Sequence, residues 1–312
     1  MNKKRNIASL MVAAIAGICV MTGCSKEQVT NNASDFQNNS KNASVIANEN
    51  NPYDYCGIIH NEILDYIIEK NPHPSQEEIF NLSKEYMQLY YDYSGEIPFE
   101  EDYHNFNSTT NFIVDAFLNH RSFKDLIESE SIYRTFDMLV EYTHSIVESN
   151  HLPAPEEYAS FLIEQENKLV NDRETAGISP NEISEYDVAL GSLAIARYSY
   201  YYWYNVANDP KNAWNHIKIK TKKQDGDDPE RGFWGKLWDG VCDFVVGAVE
   251  VVCQVAVTPL ADTCGFVVGG FSGINSGNGY MLGVFDAVDG IKSAGSYSGS
   301  VWNWDDWYEP YK

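Results

Sequence analysis

The chain has 312 residues, 44% of them apolar, with 22 Lys and Arg against 45 Asp and Glu and a formal charge of −23. That excess of carboxylates excludes polyanion binding through a general basic surface, because its field repels nucleic acid and anionic bilayers. Charged residues at 21% and 42 aromatics (14 Phe, 7 Trp, 21 Tyr) exclude disorder of the chain as a whole.

Residues 1–23 have the layout of a secretory signal peptide: Lys3, Lys4 and Arg5, then an apolar run from Ile7 to Val20. The run is about 14 residues, shorter than the roughly 20 that a membrane-spanning helix needs. It ends in Met21-Thr22-Gly23-Cys24. These residues resemble a bacterial lipobox, with Met in place of the more usual Leu at its first position. The resemblance implies cleavage before Cys24 and fatty acylation, palmitate included, of that residue. Cleavage removes Lys3, Lys4 and Arg5 and no acid, so −23 becomes −26. Attachment to a membrane must then come from the lipid, and two or more chains are needed to make it stable. Ser25 stands where an Asp would favour inner-membrane retention, so the expected address is the outer membrane, periplasmic or surface-facing.

Residues 24–50 are Asn, Ser, Lys, Glu and Gln with little apolar content. They bury too little to offset ordering entropy, and a coil of about 27 residues reaches near 30 Å. A helical bundle is expected over residues 51–210, opening with Asn51 as cap and Pro52 at the first helical position. Cys56, Ile59, Ile63 and Ile67 recur at steps of three and four and define one apolar face, with His60 and Leu64 beside it. A buried His60 is expected to be a core imidazole bonded to a backbone carbonyl, the alternatives being a metal ligand or a general base.

Further helices are expected over Ser75–Tyr93, Thr109–Asn119, Ser131–Glu148 and Pro155–Asn171, with breaks at Pro72, Pro74, Gly95, Pro98 and His151 to Pro155. The next has Ser179 as cap, Pro180 at the first position and Glu182 completing a capping box, and runs to about Val206. It is apolar on almost every side, which places it in the middle of a bundle. It ends in Tyr198, Tyr200, Tyr201, Tyr202, Trp203 and Tyr204. Those aromatics suit the wide end of a bundle; the functional alternative is a surface for sugars or peptides at Tyr200, Tyr201, Tyr202, Trp203 and Tyr204.

The opening Asn51-Pro52-Tyr53-Asp54-Tyr55-Cys56-Gly57-Ile58-Ile59-His60-Asn61 resembles a family of Bacteroidota envelope lipoproteins. Its members pair an Asn-Pro-Tyr-Asp-Tyr-x-Gly-x-x-His-Asn opening with a glycine-rich C-terminal segment. The resemblance implies an envelope lipoprotein and no particular mechanism.

A charged linker over residues 211–232 leads into a glycine-rich, apolar helical appendage over residues 233–299, which holds 14 of the 21 glycines when Gly232 is included. An aromatic, acidic tail follows over residues 300–312. The stretch from Val241 to Thr258 is about 27 Å long as a helix, the lower edge of a membrane span. Asp243, Glu250 and Gln254 argue against one, and Pro259 is expected to end or kink the helix. Gly265, Gly269, Gly273 and Gly277 fall four apart, a glycine zipper that lets another backbone come close. It is expected either as a hairpin docked on the bundle or as one that inserts or oligomerises in a membrane.

Cys56, Cys242, Cys253 and Cys264 are expected to be free apolar fillers, although a 253–264 bridge or a bond to Cys56 is geometrically allowed. The sequence carries no His-Glu-x-x-His, paired Cys-x-x-Cys, phosphate loop or nucleophile elbow, so no metal or cofactor and no catalytic residue is assigned. The expected class is all-α and the expected function non-enzymatic binding or assembly, with the membrane as partner through the lipid on Cys24. A membrane-active protein and an enzyme with a scattered site are the alternatives. A protein or glycan partner is not named by any residue pattern.

Overall fold

A computed structural model of the chain describes residues 45–91, 93–94, 99–101, 104, 121–125, 127, 129–175, 180–216, 249–272, 284–285 and 287–302. The leader, Cys24, the expected helix over Thr109–Asn119, Gly273, Gly277 and the tail beyond 302 lie outside these residues, as do most of the linker and the side chain of Cys253. The described chain forms seven α-helices: α1 (Tyr55–Lys70), α2 (Gln76–Tyr90), α3 (Glu130–Ser149), α4 (Pro155–Thr175), α5 (Pro180–Asn208), α6 (Val249–Gly270) and α7 (Ala287–Trp302). Two single 3-10 turns, helical residues at 99–101 and 104, and one two-residue antiparallel pairing, Phe271 with Phe285 and Ser272 with Val284, accompany them. The all-α class holds.

Local signals account for most helix ends. Ser75 and Glu78 form the capping box of α2, each side chain bonded to the other's backbone N–H. Asn150, at φ 49°, takes the left-handed turn that ends α3, a conformation asparagine tolerates better than most residues. The order begins earlier than the pattern implies: Ile46 is buried and Asn48 nearly so, and the compact unit starts at Ile46. Helix α1 begins later, at Tyr55, because Asn51 turns the chain first; its Oδ1 accepts from Tyr53 N and its carbonyl from Asp54 N.

Helix α5 is the axis of the fold. All residues from 185 to 200 are buried, and α1, α3, α4, α6 and α7 all pack on it. The described glycine-rich helices are docked on the bundle: α6 and α7 pack most closely on each other, then on α5, α1, α2 and α3. Small residues explain this placement, since they let helix backbones approach at the centre of a crowded bundle. Pro259 does not end α6, which runs eleven residues beyond it with residues 255–266 all buried. Neighbouring helices on all sides hold it, while the hydroxyls of Thr258 and Thr263 donate to the carbonyls of Gln254 and Pro259. The linker also starts later than expected: Trp214 is fully buried against Trp203, so the bundle extends to His216.

Candidate functional site

The opening of α1 is a docking strip written at steps of three and four. Asn51 Nδ2 donates to Leu190 O at 3.0 Å, Asn61 Nδ2 to Tyr198 O at 3.0 Å, and Asp65 accepts from Tyr202 Oη at 2.9 Å. Helices α1 and α5 therefore run side by side in the same direction. Gly57 permits the approach, because a Cβ there would lie 2.3 Å from the Tyr198 ring and 2.7 Å from Ala194 O. Two buried polar clusters lie along this seam.

The first surrounds Arg197, which is 1% exposed. Its Nε and Nη2 donate to Glu166 Oε1 and Oε2 at 3.0 and 3.1 Å, its Nη2 also to Asp54 Oδ1, and its Nη1 to the carbonyl of Ile46. Asn48 donates to Glu166 Oε2 at 2.6 Å, and Tyr198 Oη to Asp54 Oδ2 at 2.9 Å. Burial pulls the guanidinium toward neutrality, but Glu166 and Asp54 outweigh it and hold its pKa above the usual value.

The second surrounds Asp262 of α6, which is fully buried. Its Oδ2 accepts from Ser199 Oγ of α5 and from Ser298 Oγ of α7 at 2.8 Å, and faces His60 Nε2 of α1 at 3.4 Å. Trp203 Nε1 donates to Ser298 Oγ at 2.9 Å, and His60 Nδ1 contacts Asn61 Oδ1 at 2.9 Å. Burial pushes the Asp262 carboxyl above the usual range, against the pull of His60 and the two serines. His60 is thus buried as expected, but its partners are the Asn61 amide and a carboxylate, not a backbone carbonyl. It faces α6, where the nearest polar group is Asp262.

The aromatic run does not act as one surface. Tyr200 and Trp203 are fully buried; Tyr200 stacks on Tyr158 at 3.9 Å and 8° and donates to Pro153 O. Tyr201, Tyr202 and Tyr204 are half-buried, and Tyr202 joins Asp65 to Trp214 Nε1. Burial pushes Asp65 up to about 6, with Tyr202 opposing.

Of the zipper, Gly265 and Gly269 lie in α6, which stops at Gly270. A Cβ on Gly265 would meet the Tyr297 ring at 2.7 Å, and one on Gly269 would meet Ser293 Oγ at 2.5 Å. Both glycines are therefore covered by α7. Cys56 and Cys264 are free and buried.

Arg197, Glu166, Ser199, Asp262 and Ser298 were not singled out by the sequence pattern, whereas Asp54 and Asn61 stood in the opening motif without an assigned role. The signal was available for two of them: a lone charge inside an apolar helix needs a buried partner, and Arg197 and Asp262 both meet that description. Among the described residues there is no group of three or more His, Cys, Asp or Glu that could hold a metal, and no helix long and apolar enough to cross a membrane. Comparison with protein-family models, with curated proteins and with solved structures found no match to this chain.

Proposed function

We propose that this chain is a lipid-anchored protein of the bacterial envelope, held at the outer membrane through Cys24, whose helical body works by binding or assembly. The leader and its ending at Cys24 support the address. One observation carries the non-catalytic reading: His60, Asp262 and Ser199, the residue types of a nucleophilic centre, are all 0% exposed and join α1, α5 and α6. A nucleophile must meet its substrate, whereas a sealed cluster specifies how helices pack. Gly265 and Gly269 are covered by α7, which favours this reading over insertion of the hairpin.

Mass spectrometry of the product from a bacterial host tests the anchor. A leaderless chain with Cys24 acylated is expected, together with release to the soluble fraction on Cys24→Ala. An unmodified sulfur or a retained leader overturns it. Dye leakage from liposomes mixed with the purified chain, at neutral pH, would overturn the binding or assembly reading in favour of a membrane-active one.

A further inference from the structure

The surroundings of His60 determine where its protons must be. Asn61 Nδ2 donates to Tyr198 O, so it is Asn61 Oδ1 that faces His60 Nδ1 at 2.9 Å. Turning the amide over would set its oxygen against the Tyr198 carbonyl, so this orientation is the consistent one. An oxygen at Nδ1 requires a proton there. A neutral imidazole with its proton on Nδ1 has a bare lone pair on Nε2, and Nε2 faces Asp262 Oδ2 at 3.4 Å. Two acceptors would then oppose each other in a fully buried site. Among the described residues neither His60 Nε2 nor Asp262 Oδ1 has a hydrogen-bond partner, so an ionised carboxylate beside a neutral imidazole would leave both bare in the core.

We infer that His60 and Asp262 hold one additional, shared proton at neutral pH, and that this proton latches α6 and α7 to α1. Placed on Nε2 it makes an ion pair with Asp262; placed on Asp262 it makes a neutral pair. In either form the proton belongs to the pair as a unit. The latch acts on α6 because Asp262 is where that helix meets His60 of α1, Ser199 of α5 and Ser298 of α7. The upward push of burial on the Asp262 carboxyl acts in the same sense.

The other groups near the pair leave this assignment intact. Tyr158 of α4 feels the charge of Asp262 and of Tyr142 on α3, and burial holds it neutral. Cys264, on α6 itself, is likewise held neutral by burial. On α5, Arg197 is engaged by Asp54 and Glu166. On α7, Lys292 is six residues from Ser298 and has interactions of its own. On α1, Glu62 accepts from Tyr86 and Tyr91, and Asp65 accepts from Tyr202. On α3, His144 pairs with Glu148.

The sign of the pH dependence follows. In the unfolded chain His and Asp titrate near 6.5 and 3.9, so the two residues together lose their last proton above about pH 6.5. The folded pair keeps it. Folded protein then binds more protons than unfolded, and stability falls as pH rises past about 6.5. The unfolding equilibrium constant contributed by the pair grows about tenfold per pH unit until the folded pair lets go. Asp262→Asn can place its amide N–H, in the position of Oδ2, against a neutral His60 Nε2, with the Ser199 and Ser298 hydroxyls turning to accept from the same group. In that variant the pair's contribution is flat above about pH 6.5, and stability instead falls below it, where unfolded His takes up a proton.

The experiment is urea unfolding of the full-length chain and of Asp262→Asn in detergent from pH 5 to 9. Subtracting one profile from the other removes the titration of every other group. A difference that changes about tenfold per unit above pH 6.5 is expected, and identical profiles there overturn the proposal. Should Asp262→Asn fail to fold, nitrogen and carbon NMR of the native chain at pH 7.5 decides. Either a protonated Nε2 on His60 or a protonated Asp262 carboxyl is expected; an unprotonated Nε2 beside an ionised Asp262 overturns it.

Discussion

Arg197 and Ser199 stand two residues apart on α5, one reaching into a cluster with a full cation and two carboxylates, the other into a cluster around a single carboxylate. Around Arg197 every charge meets an opposite one, Tyr198 donates to the second oxygen of Asp54, and Asn48 adds a donor to Glu166 Oε2. Around Asp262 no guanidinium or ammonium contact is made among the described residues; two hydroxyls share one oxygen and the other has no partner there. A buried charge can be matched by a permanent ion or by a movable proton, and the same helix uses both. The second solution ties the stability of the fold to pH through that proton.

Substitutions along the seam test that contrast. Arg197→Met should have the largest effect, about 3–5 kcal/mol less stable, because it leaves the fully buried Glu166 carboxylate, and half-buried Asp54 beside it, without their cation. Urea unfolding at pH 7 measures it, and a loss below 1 kcal/mol would mean the two acids are already neutral there. Gly57→Val lies between Asp54 and His60 and should cost about 1–3 kcal/mol by forcing α1 off the Tyr198 ring. If both clusters depend on one α1–α5 contact, this variant also weakens the pH response described for His60 and Asp262. Ser75→Ala, away from the seam, should cost about 1 kcal/mol through loss of the α2 cap and leave the pH response unchanged.

A separate test concerns Asp65, whose folded pKa of about 6 lies above its unfolded value. A raised carboxyl favours the folded state at low pH, so its contribution is lost as pH rises from about 4 to 6. Asp65→Asn should flatten that part of the stability profile, a window below the one that reports on His60 and Asp262. Unchanged slope between pH 4 and 6 would show that Asp65 titrates normally.

Helix existence was legible wherever an apolar period or a cap was present: α2 within Ser75–Tyr93, α3, α4, and the buried α5 starting at Pro180. Helix α1 was legible as a face but not at its start, since Asn51 turns the chain before capping could matter. The placement of α6 and α7 was not legible. Glycine spacing says that a backbone comes close and leaves open whether that backbone is α7 or another molecule. The clusters were hidden for a different reason. Their members come from positions as far apart as 48 and 197, or 60 and 298, and only the fold brings them together. His60 was visible as a histidine on an apolar face, but its carboxylate partner is 202 positions away.

The grip of Arg197 on the carbonyl of Ile46 has a mechanical consequence. A pull applied to the chain at Ile46 reaches the central helix before it reaches α1, so it is borne in shear by an ion-paired knot and α1 is spared from being unzipped end-on.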